Sequence, residues 1–275
     1  MTDHSIKRDR WGRPLIIPPD GGKPKGYTRV STLAKALDDG TGLTFWKQAM
    51  TAIGIGKDRT LQMRVASLLA KGGDTYKEQK GPLREICAQA LTLAGSSKAA
   101  GAGTAIHEFT EVIDDGIRPE FVPPELLPIL KAYDRETVGL KVVDKEVFVV
   151  VDELQAAGSL DRLYQFKMPD GRVVVGDIKT GASEPQYPLG VTTQCAIYAH
   201  GKRYNPATGE RAPLHPDLDP TIGLLVHLPL EPDANGKHRC DVYELDLEHG
   251  WHAANLALDV RNTRKVAPLE RLDFS

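Results

Sequence analysis

Two hydrophobic periods divide the chain. Through about the first hundred residues, apolar side chains recur at the three- and four-residue spacing of helix faces. Leu33, Ala34 and Leu37 continue a helix that Ser31 or Thr32 is placed to cap. After the break from Gly40 to Gly42, the spacing predicts helices around Phe45 to Ala52, Leu61 to Ala70 and Leu83 to Leu93. Ahead of them, WGRPLIIPPDGGKPKG (Trp11 to Gly26) holds too much Pro and Gly for regular structure, so an extended arm ordered by docking is expected.

From Lys141 the period becomes that of strands. VVDKEVFVVV, AAGSLDRLYQF and RVVVGDIKT are the predicted strands, with Met168-Pro169-Asp170-Gly171 turning between the last two. A helix from Leu189 to Tyr204, a Pro-rich loop from Asn205 to Pro220, strands in TIGLLVHLPL and RCDVYELDL, and a helix starting near Glu248 complete the order. That order predicts an α/β core with a central mixed sheet flanked by helices. The expected division is an arm and helical region over 1–98 and a core over 99–275, packed as one compact unit.

Composition narrows the function classes. The chain has 275 residues, 41% hydrophobic and 26% charged, which is ordinary for a globular enzyme. No apolar run approaches the roughly 18 residues of a membrane span, and the first residues lack the apolar stretch of a signal peptide, so an intracellular, cytoplasmic protein with no membrane role is expected. Cys87, Cys195 and Cys240 are scattered without the paired spacing of zinc or iron-sulfur sites. A net charge of -2 excludes coating nucleic acid by bulk positive field. Lys7, Arg8, Arg10, Arg13, Lys23, Lys25 and Arg29 outnumber the nearby Asp3, Asp9 and Asp20, which suits either a phosphate-tracking segment or a solvated arm. Trp11 and Tyr27 lie in this region, where an aromatic can stack on a base, whereas Trp46 is expected in helical core packing.

The candidate chemistry begins at the hairpin. Folding the strands about Pro169-Asp170 brings Asp161 within one residue of register with Asp177. Asp177 and Lys179 are two apart and share a face, while Ile178 points into the core. Paired carboxylates suit a hard cation such as Mg²⁺, and a lysine beside them can orient water or meet charge growing on a phosphate. His107 and Glu111, and likewise Gln194 and Tyr198, stand four apart on helix faces. Singly, each has a plainer role: Asp161 as a strand-end residue, Asp177 with Lys179 as a weak surface ion pair, His107 and Tyr198 as packed side chains, Gln194 as a solvated amide. An acid and a lysine ending the apolar run VVVGDIK favour a functional cluster over those separate roles. His227, within LLVHLPL, reads as a packed or edge residue, and HEFTE lacks the second histidine of a zinc-protease helix.

In order along the chain, Gly103-Thr104 with His107 and Glu111, Gly158 with Asp161, Asp177-Ile178-Lys179-Thr180, and Gln194 with Tyr198 form the series GTxxHxxxE, GSLD, DIKT and QxxxY. This series resembles the RecB-like branch of the PD-(D/E)XK nucleases, over about a third of the chain. The resemblance implies a restriction-endonuclease-like core in which Asp161, Asp177, the Ile178 carbonyl and His107 hold Mg²⁺ or Mn²⁺. Lys179 then serves the attacking water, and Glu111, Gln194 and Tyr198 complete the catalytic set. The four cysteines that many helicase-nuclease and CRISPR-associated members carry are absent, so no iron-sulfur cluster is expected; nor is there a GxxxxGK[ST] motor motif. Stand-alone phage-type recombination exonucleases remain as the nearest resembling group. They imply DNA ends as substrate, a role in recombination or repair, a separate helicase or recombinase as partner, and a homo-oligomer as one assembly. A nicking or structure-specific endonuclease and a non-catalytic nucleic-acid-binding subunit stay open as alternatives.

Overall fold

A computed structural model describes residues 6–167, 171–181 and 187–273, except for the side chains of residues 97–100. Residues Met168 to Asp170 of the expected turn lie outside the described residues. The chain divides into two compact units, one formed by the chain up to Asp38 together with Phe109 onward, the other by Asp39–Glu108. The boundary differs from the sequence-based one because the first 38 residues pack with the sheet rather than with the helices.

The helical unit contains α2 (Thr41–Lys57), α3 (Arg59–Leu69), α4 (Thr75–Glu78), α5 (Lys80–Leu93) and α6 (Ser96–Asp114) as far as Glu108. Asp58 caps α3 by accepting from the Leu61 N–H at 2.7 Å. Leu61, Leu68, Ile86 and Ala90 form its core. Gly54 is required where α2 meets α5, since a Cβ there would fall 1.9 Å from the Ala90 carbonyl oxygen. Trp46 is not in this core but 44% exposed.

The sheet unit begins with β1 (Leu15–Ile16), β2 (Lys25–Gly26), β3 (Thr28–Arg29) and α1 (Val30–Ala34). The arm is therefore not free of regular structure: β1 pairs with β2, and β3 adds in parallel to the main sheet beside Ala156 and Ala157. Docking does order it, through the Ile17 N–H donating to the Tyr204 hydroxyl (2.9 Å) and the Tyr27 hydroxyl to Asp152 (2.7 Å). α1 starts at Val30, directly from β3, so neither Ser31 nor Thr32 caps it, and it ends in a 3-10 turn over Lys35–Leu37.

After α6 come α7 (Leu127–Glu136), β4 (Leu140–Val151), β5 (Ala156–Phe166), β6 (Val173–Gly181), α8 (Leu189–Ala199), β7 (Lys202–Tyr204), β8 (Arg211–Ala212), β9 (Leu218–Pro229), β10 (Asp241–Asp246) and α9 (Leu247–Thr263). The sheet order is β10-β9-β6-β5-β4-β7-β8, with β6 and β9 parallel and the other neighbours in that order antiparallel. It is a mixed sheet flanked by helices, as the strand and helix order predicts. α8 stops five residues short of Tyr204 because Lys202 and Arg203 pair with β4, and a Cβ at Gly201 would meet Val149 at 2.2 Å. The Pro-rich loop likewise holds β8 and the start of β9.

Val149, Leu160, Leu163, Val175 and Leu225 pack with α1, α8 and α9 on one face of the sheet. The C-terminal turn of α6 and α7 hold the other face through Arg162, Tyr133 and Tyr164, all buried. Among the described residues, no helix is long and apolar enough to cross a membrane.

Candidate active site

The β5–β6 ladder runs from Gln165↔Val173 to Arg162↔Gly176 and ends there. Asp161 and Asp177 are the next positions, opposite each other just beyond the last pair. The Ile178 N–H donates to Asp161 Oδ2 at 3.1 Å, so a carboxylate takes the place of the next strand partner. In an extended strand the N–H and C=O of one residue share an edge, so the Ile178 carbonyl faces the same side. Ile178 is buried, as expected, but so is Asp177, at 2% exposure.

An irregularity aims Asp161. Leu160 and Leu163 lie three apart yet enter the same core cluster, so the period of two is broken between them. On the neighbouring strand the pairing passes from Lys145↔Arg162 to Val147↔Leu160, and Glu146 between them has φ 51°. A non-glycine residue in this region costs about 1 kcal/mol or more, and such strain gathers where a side chain must be re-aimed. Glu146 stands level with Asp161, with Oε1 4.0 Å from an Arg162 nitrogen. Sequence reasoning passed over Glu146; its signal was an acid placed just before the apolar run VFVVV.

Lys179 Nζ lies 2.5 Å from Asp177 Oδ2, with its side chain 47% exposed. Oδ2 is sealed from solvent, and the ammonium meets it as an ion pair rather than at hydrogen-bond angles. The other oxygen, Oδ1, accepts from Gln194 Nε2 at 2.8 Å. Burial first, and the Asp161 charge second, push the Asp177 carboxyl up to about 7 against the pull of Lys179. Burial works against the Lys179 ammonium, but Asp177 and Asp161 outweigh it and hold its pKa above the usual lysine value. The buried Asp177 carboxylate thus meets a part-exposed ammonium, with the Asp161 charge acting on both.

α8 supplies the roof. One turn beyond Gln194, Tyr198 is 4% exposed, and a Cβ on Gly158 would come 2.8 Å from its hydroxyl oxygen. Gly158 and Tyr198, from two separate motifs, therefore fit each other. Burial, then the charges of Asp161 and Asp177, raise the Tyr198 hydroxyl well above its usual pKa. Cys195, fully buried on the same helix, is raised by burial and by Asp177. His227 is 2% exposed and stands in register beside Lys179 on β9.

Behind Asp161, on the other face, Arg162 donates to Asp114 Oδ2 (2.6 Å), the Thr110 hydroxyl (3.2 Å) and the Asp161 carbonyl (2.9 Å). This anchor was also missed, although an arginine inside the apolar run LDRLY requires a buried partner. Glu111 is tied to β4 through its backbone carbonyl, which accepts from Lys145 Nζ at 2.7 Å. The structure brings together Asp161, Asp177, Ile178, Lys179, Gln194 and Tyr198. His107 counts with the helical unit.

Among the described residues, no three His, Cys, Asp or Glu side chains form a group that could hold a metal ion. The pair Asp161–Asp177 does fit a hard divalent ion, which needs one or two carboxylates and fills its shell with water and phosphate oxygens. The mutual repulsion that raises the Asp177 pKa is what such a cation relieves.

No family model matches the chain, and no curated protein matches it. Among solved structures, that of SSO0001 is similar over 58% of this chain and 70% of its own, with 19% identity and a TM-score of 0.25. A likeness at that level carries no argument about function.

Proposed function

We propose that the chain is a divalent-metal-dependent nuclease of the PD-(D/E)XK kind that hydrolyses phosphodiester bonds from DNA ends. The observation that carries this reading is the buried Asp177 facing Asp161, with the Lys179 ammonium 2.5 Å from its Oδ2. A structural ion pair has no need of a second carboxylate that raises the pKa of the first.

Asp161, Asp177 and the Ile178 carbonyl would hold Mg²⁺ or Mn²⁺. When bound, such an ion lowers the pKa of water and offsets phosphate charge. Nearly half of the Lys179 side chain is exposed, which would let its ammonium turn from Asp177 towards a substrate. Its ammonium then orients the attacking water and meets the charge that grows on the phosphate. Gln194 holds Asp177 Oδ1 in place, and Tyr198 closes the inner wall and keeps bulk water out.

The test uses end-labelled linear DNA and a covalently closed circle of the same sequence, with Mg²⁺ or Mn²⁺. The linear DNA is expected to be degraded and the circle spared. Asp177→Ala and Lys179→Ala should each lower the rate by about a hundredfold or more, and EDTA should abolish it. Undiminished cleavage in either variant overturns the nuclease reading, whereas cutting of the closed circle overturns only the word exonuclease.

A further inference from the structure

A groove on the sheet unit gathers positive charge from two chain segments that the sequence keeps far apart. Trp11, Arg13, Arg29 and Lys35 come to it from the arm and α1, and Arg261 and Arg264 from the end of α9, around a cavity of about 610 Å³. Asp38 is the one acid in its lining. Arg13 is partly offset by Asp9, whose Oδ2 lies 2.7 Å from its Nε. Arg29, Lys35, Arg261 and Arg264 have no carboxylate partner among the described residues. Burial, and after it the Arg13 charge, hold the Arg261 guanidinium below its usual pKa. Cations that outnumber the nearby carboxylates create a field that draws an anion.

Two further features say which anion. Trp11 is 64% exposed at the rim, with the Arg10 and Arg13 guanidinium carbons 4.0 and 4.9 Å from its ring centre. An exposed indole among guanidinium groups is the combination that binds stacked bases and phosphates. A lone phosphate needs two or three donors; cations spread over the arm, α1 and α9 suit a ligand whose negative charge repeats.

We infer that this groove binds one nucleic-acid strand, with its phosphates on Arg29, Lys35, Arg261 and Arg264 and a base against Trp11. The binding stands on the groove alone, while the strand's being a substrate rests on the nuclease reading.

The experiment measures anisotropy of a fluorescein-labelled oligothymidylate of about 20 nucleotides with the full chain in EDTA, over a series of salt concentrations. Arg29→Gln combined with Arg264→Gln removes two exposed cations and should leave the thermal melt unchanged. It is expected to weaken binding at low salt about tenfold or more and to lower the salt slope by about 1.4, near 0.7 for each lost phosphate contact on a single strand. Trp11→Ala should weaken binding about tenfold and keep the slope. Wild-type affinity and slope in the double variant overturn the groove, as does competition by polyglutamate equal to that by unlabelled oligonucleotide. Intact oligonucleotide binding in the double variant with lost cleavage in Asp177→Ala removes the groove and keeps the nuclease. Weakened binding in the double variant with undiminished cleavage in Asp177→Ala does the reverse.

Discussion

Asp161 and Arg162 are neighbours on β5 and enter charge clusters on opposite faces of the sheet. On the α6 side, the Arg162 guanidinium meets the Asp114 carboxylate at 2.6 Å, with the part-exposed Glu146 carboxylate farther off at 4.0 Å. Arg162 is fully buried, Asp114 has 6% of its side chain exposed, and Thr110, Tyr133 and the Asp161 carbonyl satisfy the remaining bonds. On the α8 side, the Asp177 carboxylate meets Lys179, whose side chain is 47% exposed, and the Asp161 charge acts on both. The first cluster is balanced and closed; the second is unbalanced and open. Burial of a carboxylate alone does not separate ions that hold a fold from ions that do chemistry, since the Asp114 and Asp177 side chains are only 6% and 3% exposed. Charge balance and completeness of hydrogen bonding do.

The largest effect is expected on the closed side. Arg162→Met leaves the Asp114 carboxylate buried without its cation and should lower unfolding free energy by about 3–5 kcal/mol in a urea titration. Replacing Asp114 with leucine as well removes the stranded charge and should restore part of that loss. A loss below about 1 kcal/mol in the single variant would mean that the Arg162 cluster is not the closed one.

On the open side the sign reverses. The Asp177 carboxyl titrates higher in the folded chain than in the unfolded one, so the native state keeps its proton over a range where the unfolded state has released it. Stability then falls as pH rises from about 4 towards about 7, and the penalty is complete above that. Asp177→Asn removes this penalty. In EDTA the variant should match the wild type near pH 4 and exceed it at pH 8 by as much as about 4 kcal/mol, at about 1.4 kcal/mol per pKa unit, while cleavage is lost. A variant less stable than the wild type at pH 8 would place Asp177 with Asp114 among the structural acids.

The unequal legibility of these clusters in the sequence has a physical basis. Strand β5 is AAGSLDRLYQF in both readings, and the facing of Asp161 and Asp177 follows from counting across the hairpin. Local patterns of this kind survive folding because period and register are set by near neighbours. Arg162 with Asp114, 48 residues away, and the groove joining Arg29 to Arg261 are pairings of distant segments, which a period does not encode. The arm shows the same limit: its Pro and Gly content hid β1 and β2, which exist because Ile16 and Tyr27 dock on the sheet. Glu146 was lost for another reason, since its role depends on a backbone irregularity rather than on alternation.

The finest test compares one hydrogen bond on each face. The Tyr133 hydroxyl donates to Asp114 Oδ1 at 2.7 Å, and Gln194 Nε2 donates to Asp177 Oδ1 at 2.8 Å. Geometry and acceptor type match, so any difference in outcome comes from the surroundings. Tyr133→Phe should cost about 1 kcal/mol, because the Asp114 carboxylate sits in a closed cluster and loses one of its donors, and cleavage should be unchanged. Gln194→Ala frees an oxygen on a carboxylate that burial already drives towards its neutral form, so stability should move by less than about 0.5 kcal/mol. Its effect should fall on kcat/KM, lower by about tenfold, because the amide fixes the carboxylate that the proposed reaction needs in one orientation. If the two variants lose stability equally and neither changes cleavage, the two faces are alike, and the contrast between them does not mark an active site.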